Sequence, residues 1–273
     1  MTLLMSGIPT PRLVGWAHIK NHKQQKSRGD KKPRLFLGEA VDDLLFGELK
    51  LIQKKSGYRY SADALLIAEF VLPRIKSGHK VIDIGCGSGV IGLILARRSK
   101  AGQVLAVEIQ KSLAGMAKRN VALNKLGRKI KIIESDAKKL PELFKPRSFD
   151  IVVSNPPFLK TGAGFLSKSR ERSIARNELE ITMPELVGVC GYLLKPEGRL
   201  ALIYPFARLL ELVEVLEKSG LHPARLRLVF HKQGEPLPIL FCMEIQKVKT
   251  PLALDPPCCI ESERGRFYVG RDR

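Results

Sequence analysis

Val81-Ile82-Asp83-Ile84-Gly85-Cys86-Gly87-Ser88-Gly89-Val90-Ile91-Gly92 reads as a short apolar strand, a glycine-rich turn and the opening of an apolar helix. Glycines at 85, 87 and 89 permit positive φ and let a ligand come against bare backbone. The helix beyond them aims its free N–H groups and the positive end of its dipole at the same place. The stretch therefore predicts a binding site for a ligand with an anionic end, at the point where a strand becomes a helix.

Downstream the rhythm of strand and helix repeats. Strands are expected at Lys80–Ile84, Val104–Ile109, Lys129–Glu134, Phe149–Ser154 and Arg199–Tyr204, with helices at Val90–Arg98, Gln110–Asn124, around Pro184–Leu194 and at Arg208–Lys218. Asn124 and Gly127 supply the stop signals of the second helix. The strands are continuous Val- and Ile-rich runs, as in a parallel sheet covered on both faces. Arg225–Phe230 and Ile239–Lys247 are joined by a turn, His231–Pro238, without a helix, so this last pair should be antiparallel. Upstream, Leu49–Gln53 is a candidate strand, and Ser61 a candidate N-cap for a helix running through Val71 to Pro73. The fold class is α/β: a mostly parallel seven-stranded sheet with an antiparallel C-terminal hairpin and helices on both faces.

Residues 1–34 form a basic extension that composition predicts to be flexible: Lys20, Lys23, Lys26, Arg28, Lys31, Lys32 and Arg34 face only Asp30. The globular part spans 35–250, and 251–273, with Pro251, Pro256 and Pro257, is expected as a tail or an edge segment. The 273 residues hold 47 Lys and Arg against 27 Asp and Glu, a net charge of +20, which favours a polyanionic partner, most plausibly nucleic acid. No apolar run has the ~18–20 residues of a membrane span, and the first twenty residues make no secretory signal, so a cytoplasmic location is expected. Five cysteines without a Cys-x-x-Cys pair predict reduced thiols and no metal site.

Gly87-Ser88-Gly89-Val90-Ile91-Gly92 is literally the dinucleotide fingerprint G-x-G-x-x-G, and Glu108, ending the next strand, suits the ribose of NAD as well as any other ribose diol. Asp83 inside the strand and Asp136 after the third strand separate the readings. The string Asp83 to Gly89 resembles the D-x-G-x-G-x-G loop of class I S-adenosylmethionine-dependent methyltransferases, and the parallel sheet closing on an antiparallel hairpin is similar to their Rossmann-like fold. The resemblance implies S-adenosylmethionine as cofactor. In that family the Asp83 carboxylate holds the methionine end, while Gly85, Cys86, Gly87 and Gly89 admit the body of the cofactor. Ser135-Asp136-Ala137 resembles the segment whose acid accepts the adenine amino group and whose next backbone N–H, here Ala137, reaches a ring nitrogen. The competing reading of Asp136 is a helix N-cap.

Asn155-Pro156-Pro157-Phe158 follows the fourth strand, at the edge where open α/β sheets bind substrates. It resembles the [D/N]-P-P-[Y/F/W] motif of methyltransferases that act on a planar amide or an aromatic amine. The nitrogen of such an amine is a poor nucleophile because its lone pair is delocalised. The Asn155 side-chain oxygen and the Pro156 carbonyl offer acceptors for its two N–H bonds, Pro157 stiffens the turn, and Phe158 offers a stacking face. Residues 45–53 and 57–66 resemble the bacterial tRNA1(Val) adenine-37 N6-methyltransferase family, as does Ile174-Ala175-Arg176-Asn177-Glu178, where Asn177 replaces the usual His. By that resemblance Gln53 and Tyr60 close over the methionine end of the cofactor. The basic residues of loop 158–173 and of the N-terminal arm then meet RNA phosphates. Three alternatives stay open at this level: N5 methylation of a release-factor glutamine, N2 methylation of guanine in rRNA, and a non-catalytic RNA-binding module.

Overall fold

The computed structural model describes residues 34–45, 47–55, 62–156, 181–263 and 266–270. Tyr60, Ser61, Pro157, Phe158, the 158–173 loop, the 174–178 segment and nearly all of the N-terminal extension lie outside the described residues.

The elements in chain order are β1 (Glu39–Leu44), β2 (Leu49–Lys54), α1 (Ala62–Val71), β3 (Lys80–Ile84), α2 (Val90–Arg98), β4 (Gln103–Glu108), α3 (Lys111–Leu123), β5 (Ile130–Glu134), α4 (Leu140–Leu143), β6 (Phe149–Ser154), α5 (Met183–Leu193), β7 (Leu194–Pro205), α6 (Leu209–Lys218), β8 (His222–Phe230), β9 (Leu240–Gln246), β10 (Ala253–Leu254), β11 (Cys258–Glu263) and β12 (Arg266–Gly270). The seven expected strands lie in the order β5-β4-β3-β6-β7-β9-β8. The first five are mutually parallel, and β9 runs antiparallel to both β7 and β8. The C-terminal segment does become an edge: β10 and β11 pair with β8, and β12 pairs with β11.

Why the strands read as unbroken apolar runs is visible in the core. Val81, Ile151, Val153, Ala201 and Ile203 point to the face packed by α1 and α2. Their alternate neighbours Ile82, Val152, Leu200, Leu202 and Tyr204 point to the face packed by α5 and α6. A period of two with both faces buried favours apolar residues at successive positions, and the buried polar exceptions, Asp83 and Ser154, lie near the C-terminal ends of β3 and β6.

Two local outcomes depart from the sequence reading. Helix α3 ends with Asn124 as its C-cap, as expected, but Lys125, two residues before Gly127, takes the left-handed conformation at φ 56°. Leu126 N–H donates to the Val121 carbonyl at 3.0 Å and Lys125 N–H to that of Ala122 at 3.0 Å. This is a Schellman ending with lysine where glycine is usual, closed by the buried pair Val121 and Leu126. Second, Glu39–Leu44 pairs with β2 as an antiparallel hairpin. Its sequence, EAVDDL, lacks strand-forming alternation, and what holds it lies elsewhere in the chain.

Between β7 and β8, Glu244 on β9 is 2% exposed and bonded to Arg74 at 2.9 Å, to Arg225 and to Arg199. Burial opposes its ionisation, but the charges of Arg225, Arg74 and Arg199 hold its carboxyl below the usual range. Arg225 also reaches Asp255 at 2.9 Å and the Phe70 carbonyl at 2.7 Å, tying α1, β8 and the C-terminal edge together. A buried carboxylate shared among guanidinium groups tolerates loss of a partner poorly.

Candidate active site

The site is built at the C-terminal ends of β3, β4 and β6. Gly85 and Cys86 N–H both donate to the Val107 carbonyl at 2.9 Å, which ends the β3–β4 ladder and turns the chain upward. Gly85, Gly87 and Gly89 then alternate into positive φ (76°, 56° and 89°), and Gly89 N–H closes on the Cys86 carbonyl at 2.8 Å. Only glycine takes that run without strain. A Cβ on Gly85 would meet nothing within 4 Å, whereas one on Gly89 would sit 3.3 Å from the Ala117 Cβ. The first glycine thus leaves open space for a ligand, and the third lets α2 lie close against α3. Cys86 is buried beneath the loop, its thiol pushed well up by burial and by the neighbouring Asp83 and Glu108.

Two carboxylates brace the loop from below. Glu108 is 5% exposed, and its two oxygens accept from Gly87 N–H at 2.8 Å and Gln110 N–H at 2.9 Å. A carboxylate can accept both hydroxyl protons of a diol. Asp83 is fully buried, and its Oδ2 accepts from Gly92 N–H at 3.2 Å. Its Oδ1 is buried and accepts nothing from the described residues. Burial pushes the Asp83 carboxyl up to about 7; the Gly92 N–H opposes that shift and the Glu108 charge adds to it.

The hairpin supplies another acceptor of the same kind. Gln53 on β2 is 2% exposed and donates through Nε2 to Asp42, while its Oε1 is buried without a donor among the described residues. The hairpin is seated by two residues that the sequence reading missed. Asn120 Oδ1 accepts from Ile52 N–H at 2.6 Å, and its Nδ2 donates to the carbonyls of Ile52 and Ser88 at 3.0 Å. Asn124 does the same to Lys50, accepting from N–H at 2.8 Å and donating to the carbonyl at 2.7 Å. Two strand residues advance about 6.6 Å and four helix residues about 6 Å, so asparagines spaced i, i+4 match alternate residues of a strand. Helix α3 thereby offers β2 a substitute neighbouring strand, and the Ser88 bond fixes Gln53 beside the glycine loop. The signal in the sequence was an Asn-x-x-x-Asn pair on one helix; Asn124 was read only as a stop. One position earlier, Arg119 grips Glu39 with both terminal nitrogens at 2.6 Å and lies 4.4 Å over the Phe36 ring. Those bonds hold the Glu39 carboxyl below its usual range.

Asp136 appears as the N-cap of a short 3-10 turn, accepting from Lys138 N–H at 2.9 Å, with Ala137 as the first residue of that turn. The other Asp136 oxygen lies 3.9 Å from Lys138 Nζ. Ser154 Oγ donates to the Ile84 carbonyl at 2.7 Å, joining the end of β6 to the end of β3 immediately before Gly85. Asn155, half-buried, and Pro156, buried, therefore leave the sheet next to the glycine loop. The structure brings together Gln53, Asp83, Gly85, Cys86, Gly87, Gly89, Glu108 and Asn155-Pro156 around one edge. Its chemistry is that of a cradle for an extended ligand with a cationic N–H donor at one end and a diol further along. Among the described residues no group of His, Cys, Asp and Glu is placed to hold a metal ion, and no helix is long and apolar enough to cross a membrane.

Residues 60–204 match the model of the methyltransferase small domain. The chain is 38% identical over 176 residues to the tRNA1(Val) (adenine(37)-N6)-methyltransferase of Porphyromonas gingivalis, covering 63% of this chain and 68% of that one. It is 29% identical over 213 residues to the enzyme of the same name from Trichodesmium erythraeum, covering 76% and 85%. Among solved structures, a SAM-dependent methyltransferase from Agrobacterium tumefaciens superposes with a TM-score of 0.55 at 16% identity, over 85% of this chain and 77% of that one.

Proposed function

The chain belongs to the methyltransferase small domain family and is an S-adenosylmethionine-dependent methyltransferase; from that premise we propose that its acceptor is the N6 amine of an adenine in tRNA. The observation that carries the reading is the junction of β6 with β3. The Ser154–Ile84 bond sets Asn155 and Pro156 beside the glycine loop, so an amine held by them lies against a cofactor held by the loop.

The residues present fit that cofactor. Asp83 Oδ1 and Gln53 Oε1 are buried acceptors with no donor among the described residues, and an α-ammonium group supplies the N–H bonds they lack. Glu108 at the end of β4 is the carboxylate for the ribose hydroxyls, Gly85 leaves room for the ligand, and Asp136 with Ala137 is assigned to the adenine ring on the motif alone. S-adenosylmethionine supplies a methyl group on a positively charged sulfur, open to in-line displacement. Asn155 Oδ1 and the Pro156 carbonyl accept the two N–H bonds of the acceptor amine and fix its nitrogen in line. With that cofactor held by the loop, its methyl group would pass from sulfur to the nitrogen so fixed and the surplus proton would leave for water, so the site residues need to supply acceptors rather than a strong base. Rate comes from positioning and from acceptors already in place. Pro157 and Phe158 enter on the motif alone, as stiffener and stacking face, and Tyr60 as a second residue over the methionine end.

Asn155→Ala is expected to lower methyl transfer to tRNA by about 10²- to 10³-fold, the usual loss when one preorganised polar contact is removed. Binding of S-adenosylhomocysteine, followed by calorimetry, should stay at the wild-type value. A variant with normal turnover would remove Asn155 from the reaction.

A further inference from the structure

The sheet has a second charged edge, at the N-terminal ends of the same strands. The segments that feed β3, β4, β5 and β6 there, residues 75–80, 97–102, 124–131 and 144–149, contain Lys and Arg and no Asp or Glu, and 247–250 beyond β9 continues the pattern. Lys76, Lys80, Lys100, Lys125, Arg128 and Arg147 are all exposed. The acids nearby are Asp150, bonded to Lys195 Nζ at 2.6 Å and to Lys80 N–H at 2.8 Å, Glu197, Glu244, paired with Arg74 and Arg199, and Glu48, paired with Arg98. Other elements differ in sign: β1 carries Glu39, Asp42 and Asp43, and α6 carries Glu211, Glu214 and Glu217. The positive charge is therefore not spread evenly.

The row is also rigid. Gly78 N–H donates to the Lys100 carbonyl at 3.2 Å, Gly102 N–H to that of His79 at 2.9 Å, and Val104 N–H to that of Lys129 at 2.8 Å. A Cβ on Gly102 would lie 2.9 Å from the Gly78 carbonyl oxygen, so these loops are packed against one another. Strands spaced ~4.8 Å apart make the row from β5 to β7 about 20 Å long. A cleft of about 510 Å³ opens within it, lined by Arg74, Lys76, His79, Lys195 and Arg199. Lys125 and Arg147 hold left-handed backbone at φ 56° and 59°, positions where glycine is the favoured residue. A side chain kept at a position that glycine would relax points to a use for the side chain.

We propose that this edge is a docking face for the phosphate backbone of the RNA whose adenine is methylated at the opposite edge, an inference that rests on RNA being the acceptor. The five residues of β3 separate Lys80 from Gly85 by about 16 Å, a distance that a structured RNA spans easily, since shape-reading domains follow duplexes over ~16 base pairs. The chemistry is that of phosphate contact: fixed cations, no exposed aromatic side chain in the segments that form this edge, and hence position without sequence readout. An acidic protein partner would be expected to bury such an anchor.

The test is the fourfold variant Lys76→Gln/Lys100→Gln/Arg128→Gln/Arg147→Gln. Four lost phosphate contacts should flatten the slope of log affinity for tRNA against log salt by about 3, and raise the KM for tRNA tenfold or more. The kcat and the affinity for S-adenosylhomocysteine should not change, and neither should the thermal midpoint. Should the fourfold variant misfold, the pair Lys76→Gln/Lys100→Gln should give half the slope change. An unchanged slope and KM in a variant of an enzyme that does methylate tRNA overturns the docking face alone. If the wild type methylates protein and leaves RNA untouched, the acceptor reading and the docking face fall together.

Discussion

The two edges of one sheet solve opposite problems with the same backbone conformation. At the C-terminal edge positive φ falls on Gly85, Gly87 and Gly89; at the N-terminal edge it falls on Lys125 and Arg147 as well as Gly78. The first edge strips side chains away from the backbone, and buries Asp83 and Gln53 with one oxygen each lacking a partner among the described residues, the groups proposed to hold the ligand. The second keeps charged side chains in the water at some conformational cost. The difference teaches that strain and burial mark different kinds of site. Glycine in left-handed backbone signals close approach, whereas lysine or arginine there signals that the side chain itself is wanted.

Substitutions at the two edges should accordingly differ in kind. The largest effect is expected from Asn120→Ala, which strands the buried N–H and C=O of Ile52 and the carbonyl of Ser88; unpaired buried groups of this sort cost about 3 kcal/mol in all. Urea unfolding should record that loss, and the KM for S-adenosylmethionine should rise because Gln53 loses its seat. A stable Asn120→Ala enzyme with a normal KM would separate the hairpin from the cofactor site.

Next in size is Gly89→Ala, where left-handed backbone and the Ala117 Cβ at 3.3 Å combine to cost about 2 kcal/mol. Gly78→Ala at the opposite edge has a similar φ of 80° and open space around it, so only the backbone cost of about 1 kcal/mol remains. Cofactor affinity should fall in the first and hold in the second. Equal behaviour of the two would erase the contrast between the edges.

Asp83 gives a pH signature confined to the C-terminal edge. Its carboxyl, raised by burial to about 7, keeps a proton in the folded chain that the unfolded chain has released above the ordinary value of 3.8. Stability of the ligand-free protein therefore declines as pH climbs from that value to about 7. Binding of a cationic group requires the ionised form, so S-adenosylhomocysteine affinity should gain about tenfold per pH unit up to that point and level off above it. Calorimetry across this range checks the profile, and Asp83→Asn should flatten it. The smallest effect is at the other edge. Lys125→Gly should gain about 0.5 kcal/mol and raise the thermal midpoint by roughly 1–2 °C, since glycine relaxes the helix ending. A clear fall in the midpoint would mean that Lys125 is structural.

The parts of the molecule legible from sequence are those encoded locally. Val81–Gly92 carries strand, turn and helix in one string, and the two-sided burial of β3, β6 and β7 follows from residues adjacent in the chain. What escaped depends on partners far away. β1 is a strand because β2 pairs with it and Arg119 grips Glu39 from eighty residues on, not because EAVDDL favours extended backbone. Asn120 is an unremarked polar residue of an amphipathic helix, and Asn124 only its stop, until β2 is laid beside them. Gly127 advertised a helix end that Lys125 performs, because the Val121–Leu126 contact, rather than the glycine, sets where the chain turns. Asp136 shows the opposite case: both of its readings, ligand contact and N-cap, were written in the sequence, and the cap to Lys138 is the one the fold displays.

The central claim is tested most directly by incubating the purified protein with methyl-labelled S-adenosylmethionine and tRNA, then digesting the RNA to nucleosides. The account predicts that the label is recovered as N6-methyladenosine, and that it is lost with Asn155→Ala. Label recovered as N2-methylguanosine, or in added protein rather than RNA, would contradict it.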